Sequence, residues 1–86
     1  MQTFTIKVND YYYAGVDTDA AGKYRRSEGW YTYRTESDQL LFTRQVDKIK
    51  RIEGLINLNS HYQRIYNAMK YDGLIVSNLV IKEVNQ

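Results

Sequence analysis

The sequence predicts an α+β domain: an antiparallel sheet of about four to five strands with one main helix packed on one face. Three observations carry this expectation. Phe4, Ile6 and Val8 alternate with Thr3, Thr5 and Lys7, the period of a half-buried strand. A single later stretch, from Ser60 to Gly73, has helix start, stripe and stop signals. A long apolar, β-branched run, Leu74 to Val84, follows it directly. Strands, then one helix, then a final strand place the helix against a sheet.

Taken in order, Asn9-Asp10 supplies turn chemistry after the first strand, and Tyr11-Tyr12-Tyr13-Ala14-Gly15-Val16 is β-rich beyond it, so the two read as a hairpin. Residues 17–29 are polar and punctuated by Gly22 and Gly29, and read as a long exposed loop. Trp30–Thr35 and Gln39–Arg44 are strands three and four by propensity. Val46 to Ile56 fits two periods at once. The preferred reading is one helical turn at Val46–Lys48, then a short extended piece near Lys50–Glu53 broken by Gly54. Ser60-x-x-Gln63 matches a capping box, which satisfies orphan amides at a helix start. Tyr62, Ile65, Tyr66 and Met69 then share one helical face, Lys70 suits the C-terminal dipole, and Gly73 is the expected left-handed cap. Ser77-Asn78 breaks the alternation of the last strand and predicts a bulge or bend there.

The totals bound the answer. Eighty-six residues make one domain, and a chain this short buries only about 60–65% of its unfolded surface. Hydrophobic residues at 43% and charged residues at 26% belong to a globular protein, not a disordered one. With no cysteine there is neither a disulfide framework nor a thiolate metal site, and the reducing cytoplasm is the expected compartment. The start Met1–Thr5 has no basic or apolar leader character, and no apolar run is long enough to span a bilayer. A net charge of +2 neither demands nor excludes nucleic acid. The unusual count is aromatic: nine tyrosines, one tryptophan and two phenylalanines exceed what so small a core can hold. Tyrosine has an apolar ring and a polar tip and tolerates a half-buried surface, so some of these rings are expected outside.

Catalytic chemistry is thinly represented. The lone histidine, His61, falls just inside the proposed capping box, where the helix N-terminus disfavours its charged form. It reads as a surface or cap residue, and one histidine rules out a histidine-cluster metal site. Asp17, Asp19, Gly22 and Glu28 match positions one, three, six and twelve of a calcium loop. Ala21 stands where an oxygen ligand is needed, Lys23, Arg25 and Arg26 oppose a cation, and the flanks read as strands. A solvated loop is the better reading, and no metal or cofactor is expected. Lys23, Arg25 and Arg26 around Tyr24 form one basic cluster, and Arg44, Lys48, Lys50 and Arg51 a second. Basic residues interleaved with aromatics can seat phosphates and stack bases. A charged face neutralised by Glu28, Asp47 and Glu53 explains them as simply.

In the tyrosine triplet, strand alternation sends Tyr11 and Tyr13 one way and Tyr12 the other. Exposed tyrosines on a rigid sheet anchor interfaces at low entropic cost. The segment Phe4-Thr5-Ile6-Lys7-Val8-Asn9-Asp10-Tyr11-Tyr12-Tyr13-Ala14-Gly15 resembles the starts of small proteins carried by phages and prophages of Gram-positive bacteria. The order of a Leu40–Thr43 strand, a Lys48–Glu53 piece, a helix and a Leu74–Val84 strand resembles them too. That resemblance implies an accessory product of the anti-defence type, as anti-CRISPR proteins are, which inhibits a host protein by occupying its surface.

The expected function is therefore a non-enzymatic inhibitor that docks on a bacterial host protein, a defence nuclease or effector, and blocks it sterically. Its expected contact residues are Tyr12, Tyr24, Trp30, Tyr31 and Tyr33, with Asp17, Asp19 and Glu28 as mimics of phosphate charge. The alternative is a small nucleic-acid-binding domain using Lys23, Arg25, Arg26, Lys48, Lys50 and Arg51. A homodimer, in which surplus tyrosines cover a sheet face or edge, is a third possibility.

Overall fold

The structure is a computed structural model, and it describes residues 2–16, 30–34 and 39–84; for Trp30–Arg34 it describes the backbone alone. The chain is an α+β domain, as expected. Five strands of five or six residues, β1 (Thr3–Val8), β2 (Tyr11–Val16), β3 (Trp30–Arg34), β4 (Gln39–Thr43) and β6 (Leu79–Val84), are joined by a two-residue β5 (Ile52–Glu53). One helix, α1, spans Leu55–Tyr71. Every strand pairing is antiparallel, in the order β3-β4-β2-β1, with β5 and β6 both on β1.

The register shows how β1 holds three partners. Thr3 pairs with both Glu53 and Val84, and Val8 with both Tyr11 and Leu79. A residue has only two sides in a sheet, so β6 runs along one edge of β1 while β2 and β5 share the other. β2 vacates the N-terminal half of that edge because its register slips between Tyr13 and Gly15. An extra residue in one strand bends it away, which leaves room for β5.

The core lies between the sheet and α1. Ile6, Val8, Tyr13, Leu40, Phe42 and Ile52 pack with Ile65, Ala68 and Leu74, and Tyr13 meets Phe42 edge-on at 6.1 Å between ring centroids. As expected, Tyr12 takes the opposite face from Tyr13. It pairs with Thr43 on one side and Lys7 on the other.

Local chemistry explains the connections. Asn9 has φ 56°, a left-handed value that asparagine tolerates better than most residues, and it turns the β1–β2 hairpin. The buried Thr43 hydroxyl accepts a hydrogen bond from the Gln45 amide at 2.9 Å and ends β4, and a 3-10 turn at Val46–Lys48 follows, where one helical turn was expected.

Two expectations need correction. The helix does not begin at the Ser60–Gln63 box but five residues earlier, at Leu55, with Gly54 as N-cap at φ 83° and no side-chain cap. The start is set by tertiary structure: Ile52 and Glu53 are paired to β1, and the Gly54 amide donates to the Gln2 carbonyl at 2.9 Å. The last strand begins at Leu79, not Leu74. Residues 74–78 are held instead by Asn9, whose Oδ1 accepts from the Ser77 amide, the Ser77 hydroxyl and the Asn78 amide, while its Nδ2 donates to the Ile75 carbonyl. At the helix end Gly73, at φ 81°, is the left-handed residue the sequence predicts.

Candidate interaction surface

The helical stripe expected to face the core is only partly buried. Ile65 and Ala68 are fully buried, with Leu58 and His61 half-buried on the same line, at the spacing i, i+3, i+7, i+10 from Leu58. Tyr66 and Met69 are exposed, and Tyr62 is half-buried between the two sides. Sequence reasoning missed the true core line because Ala68 and His61 carry little hydrophobic signal and Leu58 lay upstream of the assumed helix start.

The displaced stripe forms an apolar shelf along one side of α1. Leu55, Leu58, Asn59 and Tyr62 line a groove of about 240 Å³ together with Ile81, the β6 residue opposite Ile6. Tyr62 stacks on Tyr66, with ring centroids 6.3 Å apart, and Met69 stands one turn beyond. Ile81 is 42% exposed although it lies on the helix-facing side of the sheet. Among the described residues β6 pairs only with β1, so its outer edge carries unpaired backbone groups beside this groove. Ile56, at the helix start but turned about a quarter of the helix away from this stripe, is 88% exposed. Contiguous exposed apolar surface of this kind marks an interaction site more often than scattered single residues do.

The residues expected to bind a partner are distributed differently. Tyr12 is half-buried on the sheet face away from α1, with the Lys7 ammonium 5.4 Å from its ring centroid. It lines a shallow concavity with Thr5, Val46, Ile49, Arg51, Lys82 and Val84. Trp30, Tyr31 and Tyr33 lie on β3, opposite Thr43, Phe42 and Leu40 in backbone register. Asp17, Asp19, Tyr24 and Glu28, and with them the proposed calcium loop, lie outside the described residues. Of the eight aromatic side chains described, Phe4, Tyr13 and Phe42 are buried, and the other five reach solvent at least in part.

Half of the basic set falls among the described residues. Lys23, Arg25 and Arg26 lie outside the described residues. Lys48 has Asp47 3.9 Å away, whereas Lys50 and Arg51 line a polar cleft between β5 and the start of α1, next to His61. Arg44 is turned elsewhere, its guanidinium 4.4 Å from the Tyr11 ring centroid.

His61 stands in the middle of the helix, not in its first turn. Its Nδ1 shares a 2.7 Å hydrogen bond with the hydroxyl of Tyr13, a residue with no exposed surface. Burial, reinforced by the charges of Lys50 and Arg64, lowers its pKa from the ordinary 6.5. The dipole of the helix N-terminus is therefore not the main cause. The unfolded chain then takes up a proton more readily than the folded one, so this group costs stability as pH falls below about 6.5 and through the lowered value. The urea midpoint of the native protein should fall between pH 7.5 and 5.5, and His61→Gln should flatten that fall. Equal pH dependence in both proteins would show that His61 is not its source.

Among the described residues, no three histidine, aspartate or glutamate side chains gather into a metal-binding group, and no helix is long and apolar enough to cross a membrane. The fold and its surface define a small α+β domain with an open apolar shelf. Comparison with protein-family models, with curated proteins and with solved structures gives no match.

Proposed function

We propose that this chain is a non-enzymatic docking module that binds a protein partner and acts by covering part of the partner's surface. One observation carries the reading: the shelf formed by Leu55, Tyr62, Tyr66 and Met69 beside Ile81 and the edge of β6 that no described strand pairs. An interface needs apolar and aromatic anchors on rigid elements, and here they lie on a helix and a strand that the core already holds in place. The resemblance to small phage and prophage proteins makes a bacterial host protein, a defence nuclease or effector, the partner in this reading. The mechanism is steric exclusion.

Affinity capture from a Gram-positive bacterial lysate, with the native chain and the double variant Tyr66→Lys/Ile81→Lys, tests it. Both side chains are exposed, so the variant keeps its core. The native chain should retain a defined host protein, and capture should drop about tenfold or more in the variant. Identical capture by both proteins would remove the shelf from the function. The alternative reading predicts binding of single-stranded nucleic acid that weakens steeply with salt. Such binding by the native chain alone, unaffected by the shelf variant, would replace the docking reading. A native chain of twice the monomer mass by light scattering would make a second copy the shelf's occupant.

A further inference from the structure

The polar cleft beside α1 is built from one short stretch of chain, residues 50–61, where β5 runs into the helix. It has a volume of about 400 Å³ and is lined by Lys50, Arg51, Ile52, Glu53, Asn57 and His61. That volume lies within the range of small-molecule sites, about 300–1,000 Å³. The Lys50 amide donates to the Tyr13 carbonyl at 3.0 Å, which ties the 49–51 segment to β2 at its bulge. A side chain added at Gly15 would stand 3.8 Å from Lys50 Cδ, so the lysine stem crosses β2 over the glycine. Gly54, at φ 83°, then turns the chain from β5 directly into α1.

The charges in the cleft are unbalanced. Lys50 and Arg51 have no ion pair among the described residues, and the side chain of Asn57 is anchored by its 2.8 Å donation to the Glu53 carbonyl. The first turn of α1 contains no acidic residue and no side-chain cap, so its amides add positive potential at this end of the helix. The single acid in the lining is Glu53, which immediately precedes the N-cap. On the far wall, Tyr13 engages His61 Nδ1 and leaves Nε2 as the ring atom available to a ligand. When the Tyr13 hydroxyl donates to Nδ1, the neutral imidazole carries its proton on Nε2 and becomes a directional donor.

We propose that this cleft binds a phosphate group. Arg51 and Lys50 supply the charge, His61 Nε2–H supplies a fixed hydrogen bond, and Tyr13 positions the imidazole. Paired arginine and lysine donors suit a phosphate: guanidinium binds its oxygens in a fork and ammonium acts as a point charge. The site is one half-open concavity with two cations and not an extended run of them, so it fits a single terminal phosphate on a small molecule, or free phosphate, better than a polynucleotide backbone. It does not depend on the apolar shelf, which lies on the β6 side of the helix.

Titration of the ¹⁵N-labelled full chain with phenyl phosphate and with inorganic phosphate, at constant ionic strength, tests the proposal by NMR. Saturable shifts are expected in the amides of residues 50–57 and in the His61 ring nitrogens, with Nε2 protonated. Affinity should weaken about tenfold in Lys50→Ala and in Arg51→Ala, since each loses a charge-assisted hydrogen bond. It should tighten in Glu53→Gln and stay unchanged in Lys70→Ala, which removes a cation near the other end of the helix. All four side chains are exposed, so the spectra of the variants should otherwise match. Tighter binding of phenyl phosphate identifies an organic monoester as the ligand class, and equal binding identifies free phosphate. Shifts that never saturate, or that weaken as much in Lys70→Ala as in Lys50→Ala, would overturn the site. A thymidine oligonucleotide without terminal phosphates that bound the cleft more tightly than phenyl phosphate would also overturn it.

Discussion

Tyr13→Ala should bring the domain to the edge of unfolding. Among the described residues Tyr13 is the largest fully buried side chain; it meets Phe42 edge-on and joins the sheet to α1 through His61. Removing a buried aromatic ring costs about 3–5 kcal/mol, and the lost hydrogen bond adds about 1 kcal/mol. A domain of 86 residues has about 4–13 kcal/mol in total, so the substitution consumes much or all of it. Tyr13→Phe separates the two contributions. It keeps the ring and should cost only about 1 kcal/mol, because half-buried His61 can bond to water instead. Urea unfolding followed by circular dichroism measures both. If Tyr13→Ala lost less than the phenylalanine variant is expected to lose, the packing account of the core would be wrong.

Asn9→Ala is expected to be the second most damaging change, although Asn9 sits in a surface turn. Its side chain accepts three hydrogen bonds and donates one, all to residues 75–78, and its backbone is left-handed. Alanine forfeits the bonds and strains the backbone, at about 2–4 kcal/mol together. That corresponds to a fall in Tm of roughly 10–20 °C for a chain of this size. Glycine at the same position tolerates the positive φ but makes no side-chain bonds, so it should cost about half as much. Aspartate keeps the acceptor oxygen and should be the mildest of the three. Hydrogen exchange offers an independent check: the Ser77 and Asn78 amides should exchange faster in Asn9→Ala and Asn9→Gly but stay protected in Asn9→Asp. Equal loss in all three would assign the effect to the turn backbone alone.

These two residues show where reading from the chain alone succeeds and stops. Asn9 was legible as a turn residue, because a short amide side chain at the end of an alternating run is a local signal. Its second role, holding 74–78 out of the sheet, was not legible, because the partners lie some 66–69 residues away. That is why the last strand was expected five residues too early. Likewise, Tyr13 could be assigned to the face opposite Tyr12, but its contact with His61 spans 48 residues and no spacing rule reaches that far. The Ser60–Gln63 pattern is a valid start signal standing inside a helix that had already begun. Gly54 gave no such signal, because its capping role depends on β5 being pinned to β1 and on the carbonyl of Gln2.

The candidate surface divides in the same way. An aromatic surplus implied rings outside the core, and Tyr66 and Tyr71 are exposed. Which rings would gather, and beside what, depended on the rotation of α1 over the sheet, and that put the apolar shelf on the helix and β6.

Alone, the sequence determined the fold class, the hairpin, the turn at Val46–Lys48 and the left-handed Gly73, since each rests on the conformational preference of a few neighbouring residues. Tertiary structure decided where α1 begins, where β6 begins, which helical line is buried, and that buried Tyr13 holds His61 beside Lys50. Those outcomes depend on contacts between distant segments, whose free energy exists only once the sheet has brought them together.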